Sequence, residues 1–200
     1  LGDRSFDAVL AVNTVQHWAD LRAGLRELRR VARKRIVIFL RHAAAGTRFW
    51  LTEDYLPQLD PSARISETVA TIEGELRALR TIAVSLPRDC ADGVFTAYWA
   101  RPERYLDGEV RKNMSNFAQV AEHDIAAGLA QLRADLESGL WDRRYGHLRS
   151  QPELDLGHVA KAEPAPGPTA VFHANDDDAL LREELVPEVA RARPRVADRR

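Results

Sequence analysis

The sequence predicts an α/β fold built on a largely parallel sheet, and three observations carry this prediction. Residues 6–12 and residues 36–40 are apolar runs without polar alternation, as is typical of strands buried on both faces. Residues 21–32 between them have apolar side chains at helical spacing. A strand, a helix and a strand within about 35 residues form a right-handed βαβ unit.

The predicted crossover helix has a clear start and a clear apolar face. Asp20 is a good N-cap residue, because its carboxylate accepts hydrogen bonds from the first backbone amides of a helix. The apolar face consists of Leu21, Leu25, Leu28, Val31 and Ala32.

Further elements follow the βαβ unit. A short helix is predicted at 52–59, and Pro61 separates it from a longer helix at 66–80. A strand at 81–86 ends at Pro87. Another helix at 121–138 ends at Gly139, and a last strand is predicted at 154–162.

These elements suggest one domain over residues 1–162, with a helical insertion at about 87–150. Residues 163–200 contain five of the ten prolines, an Asp triplet and an Arg-rich end. This composition predicts a disordered tail.

The composition narrows the classes of partner. A net charge of -1 gives no general electrostatic reason to expect binding to nucleic acid or to a membrane surface. The single cysteine, Cys90, excludes an internal disulfide framework and fits a cytoplasmic protein. The six histidines lack metal-ligand spacing, so no metal is expected. A small molecule is the expected partner, and the oligomeric state stays open.

The end of the first strand carries the most distinctive polar cluster. Asn13 and Gln16 offer amide groups, His17 is able to transfer a proton near neutral pH, and Trp18 offers a flat apolar surface. Ligands of open parallel sheets bind beyond the carboxyl ends of the strands. The alternative is structural, with Asn13 capping a turn and Trp18 in the core.

Residues 1–42 resemble the central stretch of class I S-adenosylmethionine-dependent methyltransferases of the methyltransferase type 11 kind. The matching pieces are Phe6-Asp7 at the start of a strand, a polar loop with a histidine, the pattern E-x-x-R-V at 27–31, and a second strand. The resemblance implies methyl transfer from S-adenosylmethionine to a small molecule. It also implies that Asn13 and Thr14 contact the cofactor, that Trp18 borders the acceptor, and that His17 is the candidate base.

The sequence also departs from the family. A Lys-Pro-Gly-Gly turn usually precedes the second of these strands, whereas residues 32–35 read ARKR. The glycine-rich loop and the acidic residue that hold the cofactor have no counterpart, which predicts an N-terminally truncated domain holding the family's strands four to seven. We therefore expect this chain alone to bind the cofactor poorly. A non-catalytic fragment or a partner-binding module is the alternative.

An aromatic and basic stretch at 97–106 is a second candidate site. Tyr98, Trp99 and Arg101 are expected to bind a flat, partly anionic acceptor. The structural alternative is that the rings pack beneath the insertion and that the arginine is solvated.

Overall fold

The computed structural model describes residues 1–42, 46–76, 80–91 and 93–164. The strands in this part of the chain are β1 (Phe6–Val12), β2 (Ala32–Arg41), β3 (Arg80–Ala83), β4 (Leu86–Pro87), β5 (Glu153–Leu154) and β6 (His158–Pro164). The α-helices are α1 (Leu21–Val31), α2 (Ser62–Glu75), α3 (Gly108–Lys112), α4 (Ser115–Ala118), α5 (Glu122–Glu137) and α6 (Leu140–Tyr145).

The described residues form two compact units. The first, called the sheet unit, comprises the residues up to 47, those from 61 to 85 and those from 155 to 164. The second, called the helical unit, comprises residues 48–60 and 86–154. The tail predicted to be disordered begins at residue 163, but residues 163 and 164 are the last two of β6 and pair with β2, so the prediction is wrong for them. The rest of the predicted tail, 165–200, lies outside the described residues.

A mixed four-stranded sheet forms the frame of the sheet unit, in the order β1-β2-β6-β3. β1 and β2 are parallel, and β6 runs antiparallel to both β2 and β3. The predicted α/β class and the parallel pair are therefore confirmed.

Helix α1 connects the two parallel strands as predicted. The side chain of Asp20 accepts a hydrogen bond of 2.8 Å from the amide of Ala23, and this contact fixes the first turn. Leu25 is fully buried at the centre of the apolar face. β2 begins at Ala32, directly after the last helical residue, because Ala32 already has an extended backbone. The strand therefore starts four residues earlier than predicted, and no separate turn precedes it.

The prediction that β1 is buried on both faces is wrong. Val9 and Ala11 pack against the core of the sheet unit, in which β2 and the apolar faces of α1 and α2 take part. The alternate side chains lie on the other face, where Phe6 is 43% exposed and Leu10 is 47% exposed. Among the described residues β1 pairs only with β2. An uncovered face and an open edge thus produce the exposure.

Several predicted boundaries shift where proline or an extended residue intervenes. α2 starts directly after Pro61 and ends at Glu75, because Leu76 is extended. The helix predicted at 52–59 is a π-helical turn at Leu51–Tyr55 and a 3-10 turn at Pro57–Leu59. The strand predicted at 81–86 divides into β3 and β4, and that at 154–162 divides into β5 and β6. α5 confirms the helix predicted at 121–138.

Lys161 is a buried cation in the middle of the sheet unit. Its side chain is 2% exposed, and its Nζ donates hydrogen bonds to Oε1 of Glu73 at 2.7 Å and to Oγ1 of Thr81 at 3.0 Å. The carboxylate and the hydroxyl compensate the charge within the sheet unit.

The core of the helical unit is aromatic. The ring of Trp50 lies within about 6 Å of the rings of Tyr55, Tyr105 and Trp141, in edge-on arrangements. The hydroxyl of Tyr55 donates to the buried carboxylate of Asp135 at 2.8 Å. These contacts hold residues 48–60 against α5 and α6.

Candidate functional site

The loop at residues 13–18 begins with a backbone conformation that few residue types adopt. Asn13 has a φ of +46°, in the left-handed region. Asparagine tolerates this region better than most residues do. The amide of Asn13 donates to the carbonyl of Phe39 at 2.9 Å, which continues the ladder between β1 and β2 by one residue. The chain therefore leaves β1 at a sharp angle at the carboxyl ends of the parallel strands.

A short 3-10 turn, Val15–His17, forms the rest of this loop. Val15 is 1% exposed and anchors the turn in the core. The amide of His17 donates to the carbonyl of Thr14 at 2.9 Å. Thr14 and His17 are exposed, so the turn presents a hydroxyl and an imidazole to solvent.

Gln16 connects the start of the loop to its histidine. Its Nε2 donates to the carbonyl of Asn13 at 3.0 Å and lies 3.3 Å from Nε2 of His17. Its Oε1 is enclosed and has no hydrogen-bond partner in the described structure. The sequence predicted Asn13 and Gln16 as polar groups but did not reveal this link between three loop residues.

Trp18 lies on α1. A methyl group placed on Gly24 would come within 2.2 Å of Cε3 of Trp18, so the indole covers the bare backbone of Gly24. Trp18 is half-buried and packs against the core cluster of the sheet unit. One side of the ring thus has a structural role, in line with the alternative that placed Trp18 in the core. The other side is exposed and is the surface available to a ligand.

The sequence suggested no role for two buried polar residues, Arg41 at the end of β2 and His158 at the start of β6. Arg41 is 9% exposed, and its Nε donates to the carbonyl of Leu156 at 3.1 Å. His158 pairs with Arg41 across β2 and β6 and stacks on Phe39, with 5.5 Å between ring centroids. Burial, and then the positive charge of Arg41, lower the pKa of His158 to about 3. The one feature of the sequence that could have indicated this pair is an arginine, Arg41, at the end of an apolar strand.

The other predicted site residues belong to the helical unit. Trp99 has no exposed surface, and its carbonyl accepts a hydrogen bond from Nε1 of Trp50 at 2.9 Å. Tyr98 is half-buried, with the guanidinium of Arg101 4.7 Å from its ring centroid. Arg101 also donates to the carbonyl of Cys90 at 2.7 Å. The structural alternative describes Trp99 well, whereas Tyr98 keeps accessible surface.

The structure therefore brings Asn13, Thr14, His17 and Trp18 together in one loop, and it places Tyr98, Trp99 and Arg101 together in the helical unit. Among the described residues no group of three or more His, Cys, Asp or Glu side chains is arranged to hold a metal ion. No helix in the same residues is long and apolar enough to cross a membrane.

Comparison with known proteins adds two similarities. A family model described as a methyltransferase domain matches residues 1–40, which contain β1, the 13–18 loop, α1 and most of β2. A crystal structure from Anabaena variabilis ATCC 29413, whose name assigns it to the methyltransferases of an antibiotic biosynthesis pathway, is 32% identical, with a TM-score of 0.73. The similarity covers 82% of this chain and 68% of that chain. None of the curated proteins matches.

Proposed function

Because the chain belongs to the class I S-adenosylmethionine-dependent methyltransferase family, we propose that it transfers a methyl group from S-adenosylmethionine to a small-molecule acceptor. The 13–18 loop is the observation that carries this proposal. It projects polar side chains from the carboxyl ends of two parallel strands, where ligands of such sheets bind. It also lies inside the segment that matches the family model.

The loop has the polar character that the cofactor requires. Asn13 offers an amide and Thr14 an exposed hydroxyl, and we assign both to cofactor binding. When bound, S-adenosylmethionine supplies an electrophilic methyl group on a sulfonium.

His17 is the candidate base. Its imidazole is exposed on the loop and is able to accept a proton from an O–H or N–H group of the acceptor. Methyl transfer is an in-line displacement, and holding the acceptor in the correct orientation supplies a large share of its rate acceleration. The base therefore contributes only part of the acceleration.

In the sheet unit, we assign acceptor binding to the exposed side of Trp18. In the helical unit, Tyr98 and Arg101 form a separate candidate surface for a small molecule. Tyr98 offers a ring edge and Arg101 a cation, which suit a flat, partly anionic molecule. Trp99 acts through packing, because its ring is completely enclosed.

A methyl-transfer assay tests the proposal. The protein, as its gene encodes it, is incubated with methyl-labelled S-adenosylmethionine and a panel of phenols, amines and carboxylic acids. Label is expected to pass to at least one acceptor. His17→Asn is expected to slow the transfer about 100-fold, while the control His123→Asn, at an exposed residue of α5, leaves the rate unchanged. Full activity of His17→Asn would remove the base from the mechanism.

A second candidate function is binding of a partner protein without catalysis. The exposed Phe6 and Leu10 on β1 favour it, as does the edge of that strand, which is unpaired among the described residues. A folded protein that binds neither S-adenosylmethionine nor its product, S-adenosylhomocysteine, would support this candidate over the enzyme.

A further inference from the structure

The orientation of the Gln16 side-chain amide follows from its neighbours. Its terminal group lies 3.0 Å from the carbonyl oxygen of Asn13, an atom that only accepts hydrogen bonds. The atom that faces this carbonyl must therefore be the nitrogen, Nε2, because an oxygen there would leave two acceptors in contact. Val15, which is 1% exposed, fixes the turn that carries Gln16, and the enclosed position of Oε1 restricts the side chain further.

This orientation determines how the ring of His17 is protonated. The same Nε2 of Gln16 lies 3.3 Å from Nε2 of His17. A donor at this distance requires a lone pair on the ring nitrogen, so the neutral ring carries its proton on Nδ1. The two hydrogens of one amide group thus serve the Asn13 carbonyl and the His17 ring together.

We propose that Gln16 is a positioning residue that holds His17 with its proton on Nδ1 and with Nε2 as the atom that accepts a proton. The catalytic role of this arrangement rests on the proposed methyl transfer. In that step the O–H or N–H bond of the acceptor breaks and its proton passes to Nε2. A lone pair of that oxygen or nitrogen forms the new bond to the methyl carbon, and the electrons of the broken O–H or N–H bond stay on the same atom as a lone pair. The carbon–sulfur pair stays on the sulfur of S-adenosylhomocysteine. The imidazolium then returns its proton to water.

The geometry also implies competition at Nε2. The Gln16 amide already donates to this lone pair, so a donor group of the acceptor must take the place of that amide. Once Nε2 is protonated, Gln16 is unable to turn its oxygen toward the ring without presenting it to the Asn13 carbonyl as well. The contact between Gln16 and His17 therefore exists only while Nε2 is free of a proton.

Nitrogen NMR of the histidine rings tests the inference without cofactor or acceptor. The protein is labelled with 15N-histidine at alkaline pH, and the His17 signals are assigned from their loss in His17→Asn. The wild-type ring is expected to show the tautomer with the proton on Nδ1. Gln16→Glu presents only acceptor oxygens and is expected to reverse the tautomer, whereas Gln16→Met removes both groups and is expected to give a mixture.

A charge-matched control separates a local effect from a general one. Gln119→Glu places the same charge on an exposed residue of the helical unit and is expected to leave the His17 tautomer unchanged. A wild-type ring with its proton on Nε2, or the same tautomer in wild type and Gln16→Glu, would overturn the inference. Far-ultraviolet circular dichroism of each variant confirms that the fold is intact.

The transfer assay provides a separate readout. Gln16→Met is expected to lower kcat about tenfold, less than removal of the base itself. A protein that shows the predicted tautomer but transfers no methyl group refutes the proposed function and leaves the positioning role standing. A protein that transfers methyl groups with an unchanged rate and tautomer in Gln16→Met refutes the positioning role alone.

Discussion

His158 shows how a single residue acquires an unusual chemical state from distant parts of the chain. Its ring is 3% exposed, stacks on Phe39 of β2 and lies opposite Arg41. None of these partners is near in sequence, so the sequence offered no reason to single out His158. By contrast, Asn13, Thr14 and His17 were predicted together because a single loop contains them.

The lowered pKa of His158 predicts loss of stability in acid. That pKa is about 3, against an ordinary value of 6.5, because of burial and then of Arg41. Between these pH values the unfolded chain binds a proton that the folded protein does not. The free energy of unfolding is therefore expected to fall by about 1.4 kcal/mol for each pH unit of acidification in this window.

Urea unfolding at several pH values from 6.5 downward measures this slope. His158→Phe keeps a ring for stacking but is unable to titrate, so its slope is expected to be shallower than that of the wild type. His147→Phe, at an exposed histidine, serves as the control. Equal slopes for the wild type and His158→Phe would show that the ring does not carry the effect.

At the scale of the elements, the sequence predicted most helices and strands but placed several of their ends wrongly. Periodicity located α1 and α5 well, because each has a long apolar face and a recognisable start or stop. α2 was placed four residues late, because Pro61 was interpreted only as a separator although it directly precedes the first turn of the helix. Short strands such as β4 and β5 depend on each other, and no local pattern indicates them.

Replacing either of two helical glycines of the sheet unit by alanine is expected to change the stability in opposite directions. Gly24→Ala places a methyl group on Trp18, so the ring must move, at a cost of about 1–3 kcal/mol. Gly74→Ala meets no atom within 4 Å and is expected to stabilise α2 by about 0.5–1 kcal/mol, through lower backbone entropy in the unfolded chain. Chemical denaturation compares the two variants, and a gain of stability in both would contradict the packing of Trp18 on α1.

The ion pair between the buried Lys161 of β6 and the half-exposed Glu73 of α2 predicts that its two partners contribute unequally to stability. Glu73→Gln replaces the carboxylate beside the ammonium of Lys161 with a neutral amide and is expected to cost about 1–3 kcal/mol, because the buried cation then lacks its counter-charge. Lys161→Met is expected to cost less, because it removes the buried charge itself. Thermal unfolding with the double variant as reference measures the coupling, and a larger loss in Lys161→Met than in Glu73→Gln would contradict this interpretation.

At the scale of the whole molecule, the sequence predicted the fold class and a helical insertion at about 87–150, and the helical unit also includes residues 48–60. Residues 48–60 join the helical unit through contacts between distant residues, such as the ring contact of Trp50 with Trp141, and periodicity does not reveal such contacts. The position of β6 beside β2 likewise arises from a pairing across more than 100 residues. The expectation that further strands precede Leu1 stays a prediction.

Binding of S-adenosylhomocysteine tests the central claim, that the 13–18 loop holds the cofactor, most directly. Calorimetric titration of the protein, as its gene encodes it, is expected to give micromolar binding. Asn13→Gly keeps the left-handed backbone of the loop and removes only the carboxamide, so it is expected to weaken binding about tenfold without loss of the fold. Absence of binding by the wild-type protein, or equal affinity of wild type and Asn13→Gly, would contradict the claim.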